Sequence, residues 1–272
     1  MSSLAISIVT YCTDSSCLRS SLKCVYASNV SADVTVVDNS PNDNLRTICR
    51  DFPCNYIYNP SNPGYGAAHN IALKNSLDAA VDYHLILNAD VIFSEDVLLK
   101  IMNFMEENKN IGQIMPKVLN PDGSIQKLCK LVPTPIDLIL RRFLPYGLST
   151  KSRKRFELQD SGYNKIMFVP YLSGCFMFLR CNALKSVGIF DERFFMYPED
   201  IDLTRRIASK FNTIFFPHVE IVHEHGAASY KSPRMLWIHI YNIIKYFNKW
   251  GWIFDKERER LNKKTLSMLG LS

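Results

Sequence analysis

The chain has 272 residues, 47% hydrophobic and 12% aromatic, enough to bury a sizeable core without the help of disulfides. Its 32 Lys and Arg stand against 26 Asp and Glu, a net charge of +6 that fits a membrane surface or a phosphorylated substrate better than nucleic acid. The eight cysteines (12, 17, 24, 49, 54, 129, 175 and 181) form no C-x-x-C pair and read as reduced thiols, hence a cytosolic compartment.

The N-terminus, MSSLAISIVTYC, has no basic region ahead of its short apolar run, so no signal peptide is expected. AISIVTY (5–11) reads as a strand, CLRSSLKCVYAS as a helix, and ADVTVVDNS (32–40) as a strand ending in turn chemistry. NYIYNP is a further strand. NPGYGAAHNIALKNSLDAA opens as a Gly-rich loop and continues as a helix from near Ala67, with Gly64 and Gly66 serving the turn. YHLILNAD (83–90) is an almost continuous apolar strand, and SEDVLLKIMNFMEEN a capped helix. This βαβ rhythm predicts an α/β fold with a Rossmann-like, mostly parallel central sheet covered by helices on both faces. Ligands sit at the carboxyl ends of such strands, which places Thr10, Asp38, Asn39 and Asp90 on one rim.

After residue 112 the rhythm weakens. GQIMPKVLNPDGSIQ predicts strands joined by an Asn-Pro-Asp-Gly turn, and 133–165 shows no periodicity and reads as a loop. The run IMFVPYLSGCFMFL (166–179) is broken by Pro170, Ser173 and Gly174 and is too short to span a bilayer. A strand, a helix and a turn follow, and TIFFPHVEIVHEHG supplies a closing strand. Residues 141–156 carry six basic residues and no acid, and 230–264 nine basic against three acidic. In that tail Trp237, Ile240, Tyr241, Ile244, Phe247, Trp250 and Trp252 form an aromatic stripe with Lys231, Arg234, Lys245 and Lys249 among them. A helix of this kind can lie on an anionic bilayer, pack on the preceding domain, or join two subunits.

FFMYPEDIDLTRR (194–206) places Glu199, Asp200 and Asp202 just after Pro198. Proline and acids in a first helical turn are ordinary punctuation, with Ile201, Leu203 and Ile207 facing a core and Arg205 and Arg206 within reach of Asp202. GYGAAH (64–69) has His69 where a dinucleotide fingerprint needs its third glycine, and no phosphate-cradling G-x-x-x-x-G-K-[ST] loop occurs. His218, His223 and His225 lack the H-E-x-x-H spacing of a zinc hydrolase.

Taken in order, TY, VVDNS, NPGYGAAHN, LILNAD, YLSGCFMFLR, VGIFDERFFMYPEDIDLTRRI and PHVEIVHEHG resemble glycosyltransferase family two, the GT-A fold enzymes, and most closely its rhamnosyltransferase-like branch in bacterial polysaccharide synthesis, over residues 4–229. The resemblance implies inverting transfer of a sugar from a nucleoside diphosphate to a hydroxyl. Asp200 is then the general base and Glu199 orients the acceptor. Asp38 implies a uracil or thymine donor, because its carboxylate would accept the imide N–H. Thr10, Tyr11 and Asn39 share that nucleotide pocket, and Asn62, Gly64 and Asn70 form the floor under ribose and diphosphate. At the family's D-x-D, Asn88 replaces the first Asp, which leaves Asp90 and the histidine position His223 to hold Mn²⁺ or Mg²⁺.

These implications define the expected protein. Residues 1–229 form the catalytic domain, with a nucleotide-binding half to about 111 and an acceptor half after it, and 230–272 form C-terminal amphipathic helices that bind membrane or a second copy. The donor is dTDP-rhamnose, or alternatively UDP-glucose, UDP-galactose or UDP-N-acetylglucosamine. The acceptor is a polyprenyl-diphosphate-linked glycan of O-antigen or capsule synthesis at the inner face of the cell membrane. A non-catalytic, membrane-associated carbohydrate-binding protein is the competing reading; it would need neither Asp200 nor a metal.

Overall fold

The computed structural model describes residues 2–140, 150–224 and 233–271. The first half follows the β-branched runs and their turn signals: β1 (Leu4–Thr10), α1 (Ser15–Ala27), β2 (Ala32–Asp38), α2 (Arg46–Cys49), β3 (Asn55–Tyr58), α3 (Tyr65–Asp78) and β4 (Tyr83–Asn88). The four strands are parallel in the order β3-β2-β1-β4. Their register pairs Thr10 with Asp38, Asp38 with Tyr58 and Val9 with Asn88, so the polar strand ends form one rim. Ile6, Ile8, Val36, Leu85 and Leu87 are fully buried, as strands covered on both faces require.

The second half breaks the parallel pattern. β5 (Val91–Phe93), α4 (Val97–Glu107) and β6 (Ile111–Leu119) precede a short ribbon of β7 (Cys129–Lys130) with β9 (Tyr171–Leu172). α5 (Thr150–Phe156), β8 (Met167–Phe168), β10 (Phe176–Arg180), α6 (Cys181–Val187), α7 (Glu199–Lys210) and β11 (Asn212–His223) complete the domain. The sheet runs β3-β2-β1-β4-β10-β6-β11-β5, with β10 antiparallel to both β4 and β6 and with β8 pairing β11. Between Phe216 and Glu220 the β6–β11 register slips, at the point where Pro217 has no N–H to give the ladder.

Two expectations need correction. The stretch 133–165 is not simply loop: Ile136–Leu140 is a π-helical turn, α5 follows, and Gln159–Ser161 is a 3₁₀ turn, while residues 141–149 of the basic segment lie outside the described residues. The aromatic stripe of the tail is also not one face. α8 (Pro233–Trp250) buries Ile243, Tyr246 and Phe247 against the preceding domain and turns Trp237, Tyr241 and Ile244 outward. α9 (Lys256–Leu269) packs Leu261 and Leu266 inward. Beneath them lies Arg205, fully buried, ion-paired with Asp255 and with its guanidinium carbon 3.9 Å from the Trp250 ring centre. No helix among the described residues is long and apolar enough to cross a membrane.

Candidate active site

Two groups of polar side chains lie at the ends of β4 and β11 and at the start of α7, linked through Tyr65 and Gly174. The first is built on the abrupt end of β4. β5 pairs antiparallel with β11, setting His223 opposite Val91, and the Glu224 N–H donates to the Asp90 carbonyl at 3.1 Å. The buried His223 thereby holds its Nε2 3.4 Å from Asp90 Oδ1 and 3.4 Å from Asn88 Nδ2. A small cavity of about 140 Å³, lined by Ser16, Cys17, Ser20, Ile92 and Glu224, borders Asp90. A larger one, about 800 Å³, lies away from all the motif residues, between α9 and Thr134 and Arg155.

The second cluster occupies the first turn of α7. The backbone approaches it through Tyr197 at φ +89°, a conformation disfavoured for a bulky side chain and held here by the packed surroundings. Asp200 is only 9% exposed; its Oδ2 accepts the Gly174 N–H at 2.9 Å and its Oδ1 the N–H of Ile201 at 2.7 Å. Burial pushes its carboxyl up to about 6, against the opposing pull of the Gly174 amide and the nearby Lys130 ammonium. Glu199 is 4% exposed and its Oε2 has no hydrogen-bond partner among the described residues. Burial, and then the Asp200 charge, hold it well above the usual carboxylate range. The third acid of this segment is structural: Asp202 is fully buried and accepts from Arg206 (2.8 Å), Lys249 (2.5 Å) and Trp250 (2.8 Å).

Tyr65 joins the two clusters. Its hydroxyl lies 2.9 Å from both Asn88 Oδ1 and the Gly174 carbonyl, while the Gly174 N–H reaches Asp200. A phenol has one proton, and a carbonyl can only accept. A half-turn of the Asn88 amide, which exchanges its oxygen and nitrogen, would therefore pair both partners and turn the amide oxygen toward His223 Nε2. Gly64 is the hinge of this arrangement: at φ +109° it lets Tyr65 N donate to the Phe195 carbonyl, and a Cβ there would lie 2.3 Å from that oxygen. The helix begins at Tyr65, two residues ahead of the expected Ala67.

The remaining predicted residues divide. Thr10, Asp38 and Asn39 do meet on the rim, through Thr10 Oγ1 to Asp38 at 3.1 Å and Asn39 N to the Thr10 carbonyl at 2.9 Å. Asp38 is fully buried, however, and also accepts from the Ser40 N–H (3.0 Å) and the Tyr56 hydroxyl (2.7 Å). Its carboxylate is thus already engaged by three protein donors. Tyr11 is exposed on the same rim, and Asn62 is half-buried at φ +43°. Asn70, expected under the ribose, is instead buried as a staple: its amide pairs with the Phe190 backbone in both directions and with Glu192. Its place on the inner face of α3, set by packing, is the reason. Tyr65, Gly174, Lys130 and Gln126 were not proposed as site residues from sequence; Tyr65, inside NPGYGAAHN, and Gly174, inside YLSGCFMFLR, at least lie within motifs, whereas Lys130 and Gln126 do not.

Among the described residues no group of three His, Cys, Asp or Glu side chains is placed to hold a metal ion. Asp90, His223 and the amide of Asn88 still offer an oxygen and nitrogen donor set around one point, which fits a cation that takes its other ligands from phosphate oxygens.

Solved structures share this architecture. S. aureus TarS superposes with a TM-score of 0.58 at 15% identity over 97% of this chain and 43% of its own. The mannosyltransferase PcManGT from Pyrobaculum calidifontis, solved with GDP-Man and Mn²⁺, gives 0.57 at 18% identity, over 89% of this chain and 64% of its own. The fold is thus that of the GT-A glycosyltransferases. The sequence model of glycosyl transferase family 2 matches residues 6–188, and the chain belongs to that family. Relatives at 26% identity include the N-acetylglucosaminyl-diphospho-decaprenol L-rhamnosyltransferase of Mycobacterium tuberculosis, over 64% of this chain and 59% of the relative. Rhamnosyltransferase WbbL of Escherichia coli K12 matches over 86% and 90%. The chain thus spans 59% of the length of the mycobacterial protein.

Proposed function

We propose that the protein is an inverting, nucleotide-sugar-dependent glycosyltransferase that moves a hexose, L-rhamnose from dTDP-rhamnose, to a hydroxyl of a lipid-linked glycan in bacterial cell-surface polysaccharide synthesis. The observation that carries the reading is the Asp200 carboxyl, raised to about 6 and aimed by the Gly174 N–H beside the Asn88–Asp90–His223 cluster. At neutral pH Asp200 is ionised and a better proton acceptor than an ordinary aspartate, so it takes the acceptor hydroxyl's proton as the new C–O bond forms. Glu199 beside it, whose burial disfavours the charged form, orients the acceptor hydroxyls. Thr10, Tyr11, Asp38, Asn39, Asn62, Gly64 and Asn88 border the donor side, with Asp38 accepting the imide N–H of a uracil or thymine.

Asp90 and His223 would hold Mn²⁺ or Mg²⁺, whose charge supports departure of the diphosphate. The donor sugar rests on the names of the rhamnosyltransferase relatives, and the decaprenol-linked acceptor named for the mycobacterial relative supports a polyprenyl-linked one here. The exposed Trp237, Tyr241, Ile253 and Phe254 then seat the protein on the inner face of the membrane. A thermal-shift screen of dTDP-rhamnose, UDP-glucose, UDP-galactose and UDP-N-acetylglucosamine with Mn²⁺ tests the donor. The highest melting point is expected with dTDP-rhamnose; stabilisation by a UDP-sugar instead replaces the donor, and none by any of them leaves the carbohydrate-binding reading.

A further inference from the structure

Gln126 lies beyond the Asn-Pro-Asp-Gly turn, where the chain returns along β6 through the bridge of Leu119 with Ile125. Its N–H donates to the Val118 carbonyl at 2.9 Å, which anchors its backbone to the strand next to β11. From there the side-chain amide reaches His223 twice. Its Nε2 lies 2.7 Å from the His223 carbonyl and 3.5 Å from the Leu119 carbonyl, and its Oε1 lies 3.1 Å from His223 Nδ1.

The polarity of this contact can be deduced. Both carbonyls are acceptors only, so the amide end facing them must be the nitrogen. The oxygen then faces the imidazole, and Nδ1 must carry the proton of the shared hydrogen bond. In the neutral ring the lone pair is consequently on Nε2, the atom that points at Asp90 and Asn88. Histidines that ligate metals have their other ring nitrogen fixed in this way, and loss of the supporting partner typically lowers affinity about 10–100-fold.

We infer that Gln126 is the positioning residue of the cation site: through its amide it holds His223 in the Nδ1–H tautomer, with the Nε2 lone pair directed toward Asp90 and Asn88. The inference rests on the proposed metal role of Asp90 and His223 and adds to it a residue outside every recognised motif. Gln126 touches no substrate in this role and acts only through His223.

Two measurements on full-length protein test it. ¹⁵N NMR of histidine-labelled protein, with the His223 signal assigned through His223→Ala, is expected to show the Nδ1–H tautomer in the wild type. Gln126→Met, which keeps the side-chain length and removes the amide, should lose that preference. Mn²⁺ alone, titrated by the EPR signal of the free ion, should bind Gln126→Met about 10–100-fold more weakly than wild type. Gln126→Glu, which retains an acceptor for Nδ1–H, should recover most of the affinity. Melting curves in EDTA verify that each variant is folded. An Nε2–H tautomer in the wild type, or equal Mn²⁺ affinity in wild type and Gln126→Met, overturns the inference while the roles of Asp90 and His223 stand. Wild-type protein that takes up no Mn²⁺ overturns both.

Discussion

Asp38 and the Glu199–Asp200 pair are buried carboxylate sites on opposite halves of the sheet, and they are built in opposite ways. Asp38 ends a regular parallel strand and is surrounded by donors: the Thr10 hydroxyl, the Ser40 amide and the Tyr56 phenol. Glu199 and Asp200 open a helix where the sheet has become mixed. They share few donors, Glu199 Oε2 has none among the described residues, and both carboxyls are raised. A buried carboxylate with its lone pairs filled is part of the scaffold, whereas one left short of donors is held away from its stable state and is available for chemistry. Asp202, two residues on in the same helix, belongs to the first kind, which shows that the distinction is made by surroundings and not by position along the chain.

The sharpest test of this contrast is Asp200→Asn. Turnover should fall by about 10²–10⁴-fold, with donor affinity measured by calorimetry almost unchanged. Stability should move the other way. The folded-state value, about 6, lies above that of an unfolded aspartate near 3.9, so the stabilisation tied to its proton is present below the unfolded value and is lost as pH rises through about 6. Melting above neutral pH should therefore show the Asn variant equal to or more stable than wild type; a lower melting point would mean that Asp200 is helix punctuation.

Asp202→Ala, in the same turn, is expected to destabilise by about 3–5 kcal/mol, because it leaves Arg206 and Lys249 without their shared buried partner. Urea unfolding would measure it, and an unaltered midpoint would remove the distinction between the two acids. Asp38→Asn should also destabilise, by roughly 1–3 kcal/mol, since an amide cannot accept from all three donors at once. A stabilised Asp38→Asn would place that site in the same class as Asp200.

The pH profile sharpens the comparison further. Turnover should decline about tenfold per pH unit below about 6, as Asp200 takes up its proton. A rate that stays flat down to pH values near 4 would assign the base elsewhere. The smallest expected effect on stability is at the outer face of the tail. Trp237 is 71% and Phe254 89% exposed, so replacing both by Ser should change stability by no more than about 0.5 kcal/mol each while reducing flotation with anionic vesicles. Unchanged flotation, with a shift in sedimentation instead, would make these side chains a contact between two copies. Lys249 is not among them: it is committed to Asp191 and Asp202, and reversing its charge should unfold the tail from the domain.

Much of the catalytic domain was legible because its signals are local. The β-branched runs, their polar ends and the Gly-rich entry to α3 each require only neighbouring residues, and the parallel order then brings Thr10, Asp38 and Asn88 to one rim. Asp90, His223 and Asp200 were put forward as site residues through the ordered motifs. What the sequence could not state is which polar side chain finds which partner at long separation. Asn70 looked like part of a loop floor and became a staple to Phe190. Asp202 and Asp200 are alike on paper, yet one is met by Lys249 and Trp250 from a helix almost fifty residues later, and the other faces a single distant amide, that of Gly174. Gln126 lies in no motif, and Tyr65 lies in one that says nothing of its hydroxyl's partners. Composition and periodicity determine which segments become strands and helices and which faces are apolar. The charge state and aim of a buried carboxylate or imidazole depend on donors and acceptors contributed by remote segments, and only the tertiary structure brings those within hydrogen-bond distance.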